Sequence, residues 1–258
     1  MELVKTQAKE IYTKTKLGCD YTLNQYVGCQ HACTYCYAKF ICRWKQYGKW
    51  GMWVEAKMNA PELAKHKKVK GEVFMSSMSD PYQPIEQKLK LTRKILENLD
   101  RNIRLSILTK SNLVLRDIDL FKQFPNIEVG LTINNFDGKT KNLMEPFTPP
   151  NKLRIEALKI LYQSGIKTYA FISPIIPKLI NLEKVINITK NYTYYYWFEF
   201  MNLRGAGSEF VTMMKKEYPD SLKILQDKKL MAKYIQECQE IIKKSGIKYE
   251  DLVIHNRT

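Results

Sequence analysis

Six short runs rich in Ile, Val, Tyr, Phe and Thr alternate with segments of helical periodicity up to residue 203, and this alternation constrains the fold more than any other feature. Their lengths and composition are typical of β-strands. The runs are YTLNQYVG (21–28), GEVFMSS (71–77), IRLSILTKS (103–111), IEVGLTI (127–133), IKTYAFISPII (166–176) and YYYWFEFMNL (194–203). Because strands separated by helices need crossover connections, these strands should be parallel, with right-handed crossovers.

Amphipathic helices are predicted between the runs. One helix is predicted to have Asn151 as its N-cap and to end near Gly165, because glycine is common at helix C-termini. The other patterns are an apolar face after Pro84 (Ile85, Leu89, Thr92, Leu96 and Leu99), IDLFKQF (118–124) before Pro125, and NLEKVINITKN (181–191). Six such β/α units form an open doubly wound sheet or a partial (β/α)6 TIM-like barrel, and the motifs described below favour the barrel.

The pattern changes beyond Asn202. Residues 208–245 have helical spacing, with an apolar stripe that includes Leu230, Tyr234 and Cys238, and a final short run, YEDLVIH, follows at 249–255. A chain of 258 residues can bury one large core. We therefore expect a single α/β domain over 1–258, with a core at about 18–205 and a C-terminal helical extension at about 206–258.

Charge and hydropathy limit the class of protein. The 42 Lys and Arg residues outnumber the 26 Asp and Glu residues, for a net charge of +16, which favours a polyanionic partner such as DNA or RNA. A lysine-rich surface that only maintains solubility is the alternative. No apolar run reaches the length of a membrane span, and the start of the chain lacks the apolar segment of a secretory signal. We expect a cytoplasmic monomer that does not enter a membrane.

Three of the six cysteines lie close together, as Cys29, Cys33 and Cys36 in a C-x3-C-x2-C pattern. Without an export signal, reduced thiols available to a metal are favoured over disulfides. Structural zinc takes four ligands, so Cys19 or Cys42 would have to supply the fourth, and that alternative stays open. A cubane iron–sulfur cluster held by three thiolates would instead keep one iron free for a substrate or cofactor.

This cysteine pattern, with Tyr35 before the last thiol, resembles the signature of the radical S-adenosylmethionine (SAM) superfamily. The surrounding sequence is similar to the group related to spore photoproduct lyase, a DNA repair enzyme, from residue 18 to about 205. The matching segments are CDYTLNQYVGCQHACTYCYA (19–38), SSMSDPYQPIE (76–86), SILTKSNLVLRDIDL (106–120), VGLTI (129–133), EPFTPPNKLRIEAL (145–158) and FISPIIP (171–177).

The resemblance implies a chemistry and a set of site residues. Cys29, Cys33 and Cys36 would hold a [4Fe–4S] cluster whose free iron binds S-adenosyl-L-methionine, and reduction would release a 5′-deoxyadenosyl radical that abstracts hydrogen from a substrate. An electron donor such as flavodoxin or ferredoxin would supply the electron. The residues implied around SAM are Tyr35 near the adenine, Ser76, Ser77 and Asp80 near the methionine amine, Thr132 and Asn134 near the ribose, Arg154 near the carboxylate, and Glu199 and Asn202 lining the cavity.

The chain departs from the lyase pattern at Ser77, where the resemblance implies a cysteine that returns a hydrogen atom to the product. Because an O–H bond is too strong for that step, another donor is needed, and Cys42, Cys238 or a tyrosine of the 192–198 segment are the candidates. The aromatic side chains of 192–198 could also stack on bases, although a strand with several rings in the core is the simpler interpretation.

Three functions are consistent with the sequence. The first is a radical SAM enzyme acting on nucleic acid, by lyase-like DNA repair or base modification. The second is a radical SAM enzyme acting on a protein, peptide or small molecule. The third is a non-catalytic iron–sulfur or zinc protein that binds nucleic acid.

Overall fold

The computed structural model describes residues 1–45 and 47–255, which form eleven strands and twelve α-helices. The strands are β1 (Glu2–Thr6), β2 (Tyr12–Lys14), β3 (Tyr21–Leu23), β4 (Tyr26–Val27), β5 (Trp53–Lys57), β6 (Glu72–Met75), β7 (Arg104–Thr109), β8 (Ile127–Thr132), β9 (Lys167–Ile175), β10 (Tyr195–Phe200) and β11 (Tyr249–Val253). The predicted runs thus all contain strands, and the first run divides into β3 and β4.

The helices lie mainly between these strands. They are α1 (Ala38–Ile41), α2 (Ala60–His66), α3 (Glu86–Leu89), α4 (Leu91–Asn98), α5 (Ile118–Phe121), α6 (Gly138–Met144), α7 (Asn151–Gln163), α8 (Leu182–Thr189), α9 (Leu203–Ala206), α10 (Ser208–Glu217), α11 (Pro219–Gln226) and α12 (Lys228–Ser245). Within the described ranges, no helix combines the length and apolar character needed to cross a membrane.

The main sheet has eight strands in the order β2, β3, β6, β7, β8, β9, β10, β11. Every neighbouring pair from β3 to β11 is parallel, and only β2 pairs antiparallel, with β3. Side chains from these strands and the surrounding helices form the main apolar core. The predicted α/β class and partial six-unit barrel are confirmed. The carboxyl ends of the parallel strands meet at one edge of the sheet, which is where barrel enzymes have their active sites.

A second, three-stranded sheet was not predicted. Its order is β1, β5, β4, with β1 parallel to β5 and β4 antiparallel to it. The central strand β5 carries buried Trp53 and Val54, while β1 is half exposed. This sheet holds β4, and therefore the start of the cysteine loop, against the side of the barrel.

The single helix predicted after Pro84 is wrong, because it is divided at Lys90, which has φ +54°. Buried Glu86 explains the break. Its carboxylate accepts hydrogen bonds from the backbone N–H groups of Thr92 (3.0 Å) and Arg93 (3.4 Å), in the first turn of α4. These N–H groups have no partner within α4 itself, so the Glu86 carboxylate stabilises a new helix start there.

The predicted N-cap role of Asn151 is also wrong. Pro150 holds the N-cap position of α7, and Asn151 is the first helical residue. The Asn151 amide instead reaches back to the end of β8. It accepts from the Asn134 N–H (3.2 Å) and donates to Asn134 Oδ1 (2.9 Å), which fixes α7 to the strand end.

The predicted helical region at 208–245 consists of α10, α11 and α12, which are separated at Tyr218 and Asp227. The final run forms β11, which extends the main sheet by pairing with β10. On the predicted apolar stripe of α12, Cys238 is buried in the main core, whereas Leu230 is exposed. The C-terminal region is therefore joined to the barrel by both helix packing and strand pairing. Residues 256–258 of the predicted extension lie outside the described residues.

Candidate cluster and SAM site

The three clustered cysteines lie on one loop between β4 and α1. Cys29 and Cys33 are buried, Cys36 is partly buried, and all three are free thiols. Burial raises the pKa of each thiol, to about 12 for Cys33. The charges of Cys33 and Cys36 add to the increase in the pKa of Cys29.

The loop begins at Gly28, where a glycine is required. Its φ is +83°, and a Cβ atom there would lie 2.7 Å from the Trp53 ring and 2.9 Å from the Trp53 carbonyl oxygen. The side chain of Gln83 holds the same part of the loop. Its Oε1 accepts from the Gln30 N–H (2.9 Å), and its Nε2 donates to the Gly28 carbonyl (3.2 Å). These contacts stabilise the conformation of the loop.

The segment after β6 packs beside the cysteine loop. Asn24 Oδ1 accepts from the backbone N–H groups of Ser77 (2.9 Å) and Met78 (3.0 Å), and the Ser76 hydroxyl donates to Gln25 Oε1 (3.1 Å). Ser76 is buried and Ser77 is partly exposed. The structure therefore brings these two predicted residues to the strand edge next to the cysteines, where Asn24 positions the backbone of Ser77.

Asp80 is buried, and both of its carboxylate oxygens have partners. Oδ1 accepts from Thr109 Oγ1 (2.6 Å) and the Tyr82 N–H (2.9 Å), whereas Oδ2 accepts from the Lys110 N–H (2.8 Å) and lies 3.4 Å from His31 Nδ1. Burial would raise the pKa of Asp80, but His31 and these hydrogen bonds lower it to about 2. Asp80 is thus an ionised group that joins the end of β7 to the cysteine loop.

Glu145 connects the cysteine loop to the end of β8. It is fully buried, and it accepts hydrogen bonds from the Tyr35 hydroxyl, from Asn134 Nδ2 (3.0 Å) and from Thr148 Oγ1 (3.1 Å). The sequence predicted no contact between Glu145 and these residues. The structure instead makes it a shared acceptor for Tyr35 and Asn134, two of the residues expected around SAM.

Arg154 is the fourth partner of Glu145, whereas the resemblance placed it near the SAM carboxylate. Its Nη2 donates to Glu145 Oε2 and to Thr148 Oγ1 (2.6 Å), Nη1 donates to the Thr132 carbonyl (3.2 Å), and Nε donates to the Pro149 carbonyl (3.0 Å). Each guanidinium nitrogen is thus bonded within the protein, and the side chain is fully buried.

Lys110 is a cation at this site that sequence reasoning missed. It directly follows β7, its Nζ lies 5.8 Å from the centre of the Tyr35 ring, and it forms no ion pair with any described residue. Burial would lower the pKa of Lys110, but the charges of Cys33 and Glu145 outweigh that effect and raise it. In the sequence, Lys110 is a lysine at a strand end and looks like the many surface lysines. Only the loops that surround it in the structure distinguish it from them.

Polar residues also meet where β9 and β10 end. Glu199 accepts from the Ser173 hydroxyl (2.6 Å) and lies 3.0 Å from His255 Nε2. Asn202 Oδ1 accepts from the Gly205 N–H (2.9 Å) at the start of α9, and its Nδ2 lies 3.4 Å from His255 Nδ1. The structure therefore brings Glu199 and Asn202 together around a histidine from the C-terminal segment.

The remaining predicted residues occupy different surroundings. Thr132 is buried at the end of β8. Cys42 packs against Val27 and Trp53, and burial raises its pKa to about 11, as it does for Cys238. Tyr194 precedes β10 and is exposed, so the exposed part of the 192–198 aromatic segment lies at the strand ends opposite the cysteine loop.

The donor set fits an iron–sulfur cluster. A cluster takes each thiolate at a different iron, which suits three thiols spread along one loop.

Comparison with known sequences identifies the family. The sequence profile of the Radical SAM superfamily matches residues 23–214. The chain belongs to the radical SAM superfamily. A relative from Methanocaldococcus jannaschii, described as an uncharacterized protein, is 54% identical over 99% of this chain and 98% of its own length. An uncharacterized protein of Acidianus two-tailed virus is 33% identical over 63% of this chain and 58% of its own length.

Solved structures show the same radical SAM fold. A spore photoproduct lyase mutant with bound AdoMet and dinucleoside spore photoproduct has a TM-score of 0.68, with 14% sequence identity over 97% of this chain and 82% of the lyase. The lyase complexed with dinucleoside spore photoproduct has a TM-score of 0.66, with 15% identity over 96% and 80%. At this identity the match concerns the arrangement of strands and helices.

Proposed function

We propose that this radical SAM protein is an enzyme that cleaves SAM reductively and uses the resulting radical on a nucleic-acid substrate. The observation that carries the proposal is the loop with three free, neighbouring thiols, Cys29, Cys33 and Cys36, at the strand edge of the barrel. A [4Fe–4S] cluster bound to these thiolates would supply the electron and an iron with no protein ligand.

The chain's own residues would bind and orient SAM. Lys110 is the unpaired cation beside Tyr35, so we assign it the SAM carboxylate, and Ser77 is the partly exposed hydroxyl that could accept from the amine. Tyr35, Thr132, Asn134 and Asn202 would contact the nucleoside part, and Ser76 would support Ser77.

Asp80 and Arg154 act differently in this proposal. Their charged groups are saturated by protein partners, so they position the loops that carry Lys110 and Tyr35 and do not touch SAM themselves. Such supporting contacts hold the residues that bind the ligand in a productive geometry.

Nucleic acid is favoured as the substrate by charge and by similarity. The net charge of +16 attracts phosphates, and the similar solved structures belong to a lyase bound to a dinucleoside photoproduct. Since Ser77 cannot return hydrogen as a thiol would, the reaction would differ from that lyase unless another group donates. Cys42 and Cys238 stay as candidates.

Anaerobic reconstitution with iron and sulfide, followed by dithionite and SAM, tests the chemistry. The proposal predicts a brown protein that forms 5′-deoxyadenosine and methionine. Cys33→Ala should lose both colour and product, whereas Cys19→Ala should retain both. An intact cluster that yields no 5′-deoxyadenosine would contradict the proposed enzyme.

A further inference from the structure

Three aromatic side chains are exposed directly after the last cysteine of the cluster loop. Tyr37 is 41% exposed, Phe40 is 51% exposed and Trp44 is 61% exposed. We call these three residues the aromatic ridge. Large apolar side chains grouped on a surface usually mark an interaction site, because burying them elsewhere would stabilise the fold.

The ridge lies in a part of the chain that has no negative side chains. Residues 21–54 contain no Asp or Glu, but they contain Lys39, Arg43, Lys45 and Lys49. Of these, Lys45 pairs with Glu55, whereas Arg43 and Lys49 are exposed and form no ion pair with any described residue. The ridge therefore combines exposed rings with two exposed cations that form no ion pair with a described residue, Arg43 and Lys49, and an anionic partner is complementary to these two cations.

Arg43 is placed to act together with a ring. Its guanidinium carbon lies 4.2 Å from the centre of the Phe40 ring, and its Nη1 donates to the Phe40 carbonyl (2.8 Å). The cation is thereby held beside the aromatic face instead of extending freely into solvent. A nucleotide offers both complements, since its base stacks on a ring while its phosphate pairs with the arginine.

The ridge begins beside the SAM site. The Tyr37 hydroxyl donates to the Ser77 carbonyl (2.7 Å), and a Cβ atom at Gly205 would lie 3.2 Å from Tyr37 Cβ. Tyr37 thus bridges the ends of β6 and β10. By contrast, another exposed aromatic group, around Tyr194, precedes β10 and so lies at the opposite strand ends.

We propose that the aromatic ridge binds single-stranded nucleic acid, with bases stacked on Phe40 and Trp44 and phosphates paired with Arg43 and Lys49. The strand would then pass Tyr37 and present one nucleotide to the SAM site. This inference rests on the proposed function, because it names the surface that would deliver the substrate.

The test measures binding of a fluorescein-labelled, single-stranded 16-nucleotide DNA to the reconstituted enzyme by fluorescence anisotropy. Phe40→Ala and Trp44→Ala should each weaken binding about tenfold, in the range of one lost stacking contact. Trp44→Phe should restore most of the affinity, and the matched control Tyr194→Ala should not change it. Arg43→Ala should reduce the slope of log affinity against log salt by about one.

The possible results distinguish DNA binding by the aromatic ridge from cleavage of SAM. If the parent binds DNA but the ridge variants bind equally well, the ridge is not the site, and the proposed function is unaffected. If the parent does not bind DNA, the inference is overturned, while formation of 5′-deoxyadenosine by the parent tests SAM cleavage independently. If the variants bind DNA normally but lose reduction by flavodoxin, the ridge belongs to the electron donor and the inference is overturned.

Discussion

Arg154 donates a hydrogen bond from Nη2 to Glu145 Oε2, and neither side chain has any exposed surface. The same carboxylate accepts from Tyr35, which lies between two of the clustered cysteines in the sequence. A buried ion pair of this kind persists only where further hydrogen bonds satisfy its remaining groups, as Thr132, Thr148 and Asn134 do here. It links the cysteine loop to the end of β8 and to α7.

Removing one partner should therefore be costly. Arg154→Met should lower the free energy of unfolding by about 3–5 kcal/mol, because the Glu145 charge would be left buried without its counterion. Urea unfolding followed by circular dichroism measures this change. Lys233→Ala, which removes an exposed ion pair with Glu237, is the control and should unfold close to the parent. Equal midpoints for the two variants would contradict the structural role of the pair.

Acid should weaken the same contact. Burial would raise the pKa of Glu145, but Arg154, Lys110 and hydrogen bonds lower it from the ordinary 4.5 to about 2. Its stabilising contribution is thus fully present above pH 4.5 and is lost as the pH falls towards about 2. Below pH 4.5, the urea midpoint of the metal-free protein should fall more steeply than that of the double variant Glu145→Gln/Arg154→Met. Parallel pH profiles would show that Glu145 is not responsible.

Gly28 should be irreplaceable for steric reasons. Gly28→Ala adds a Cβ at 2.7 Å from the Trp53 ring, so the loop must shift and iron incorporation should fall severalfold. Gly18→Ala is the matched control, since Gly18 has the same φ of +83° but no neighbour within 4 Å of the added atom. Iron and sulfide content after reconstitution measures the effect. If both variants lost iron equally, backbone strain and not the Trp53 contact would be the cause.

Lys110 should determine affinity for the SAM carboxylate. Lys110→Met should weaken SAM binding about tenfold or more, the loss expected for one charge-assisted contact, without lowering iron content. Isothermal titration with SAM and with its decarboxylated analogue separates the contact from a general defect. The parent should prefer SAM, and the variant should bind both ligands similarly. A variant that kept the parent's preference would show that another group holds the carboxylate. Lys94→Met, on α4, is the control.

The parallel strands could be predicted because their signal is local. Each has a run of β-branched and aromatic residues of suitable length, and helices between the runs leave few topologies. The small sheet escaped prediction because β1 pairs with β5 across about fifty residues and is half exposed, so neither composition nor periodicity marks it. The break at Lys90 escaped for a related reason, since the Glu86 carboxylate that stabilises the second helix start acts from another helix.

The site residues also differ in whether the sequence alone could predict them. The cysteines could be found because their spacing alone limits what they can hold. Arg154 and Lys110 could not be assigned from sequence, because which cation is free depends on where Glu145 lies in three dimensions. Asn202 follows the predicted strand and its amide caps α9, but its neighbour His255 comes from a segment far along the chain, which no local signal could place there.

The most direct test of the account is an electron paramagnetic resonance spectrum of the reconstituted, dithionite-reduced protein before and after addition of SAM. The account predicts a [4Fe–4S] signal that changes on addition of SAM, because Cys29, Cys33 and Cys36 leave one iron without a thiolate. A cluster signal that is identical with and without saturating SAM would contradict it.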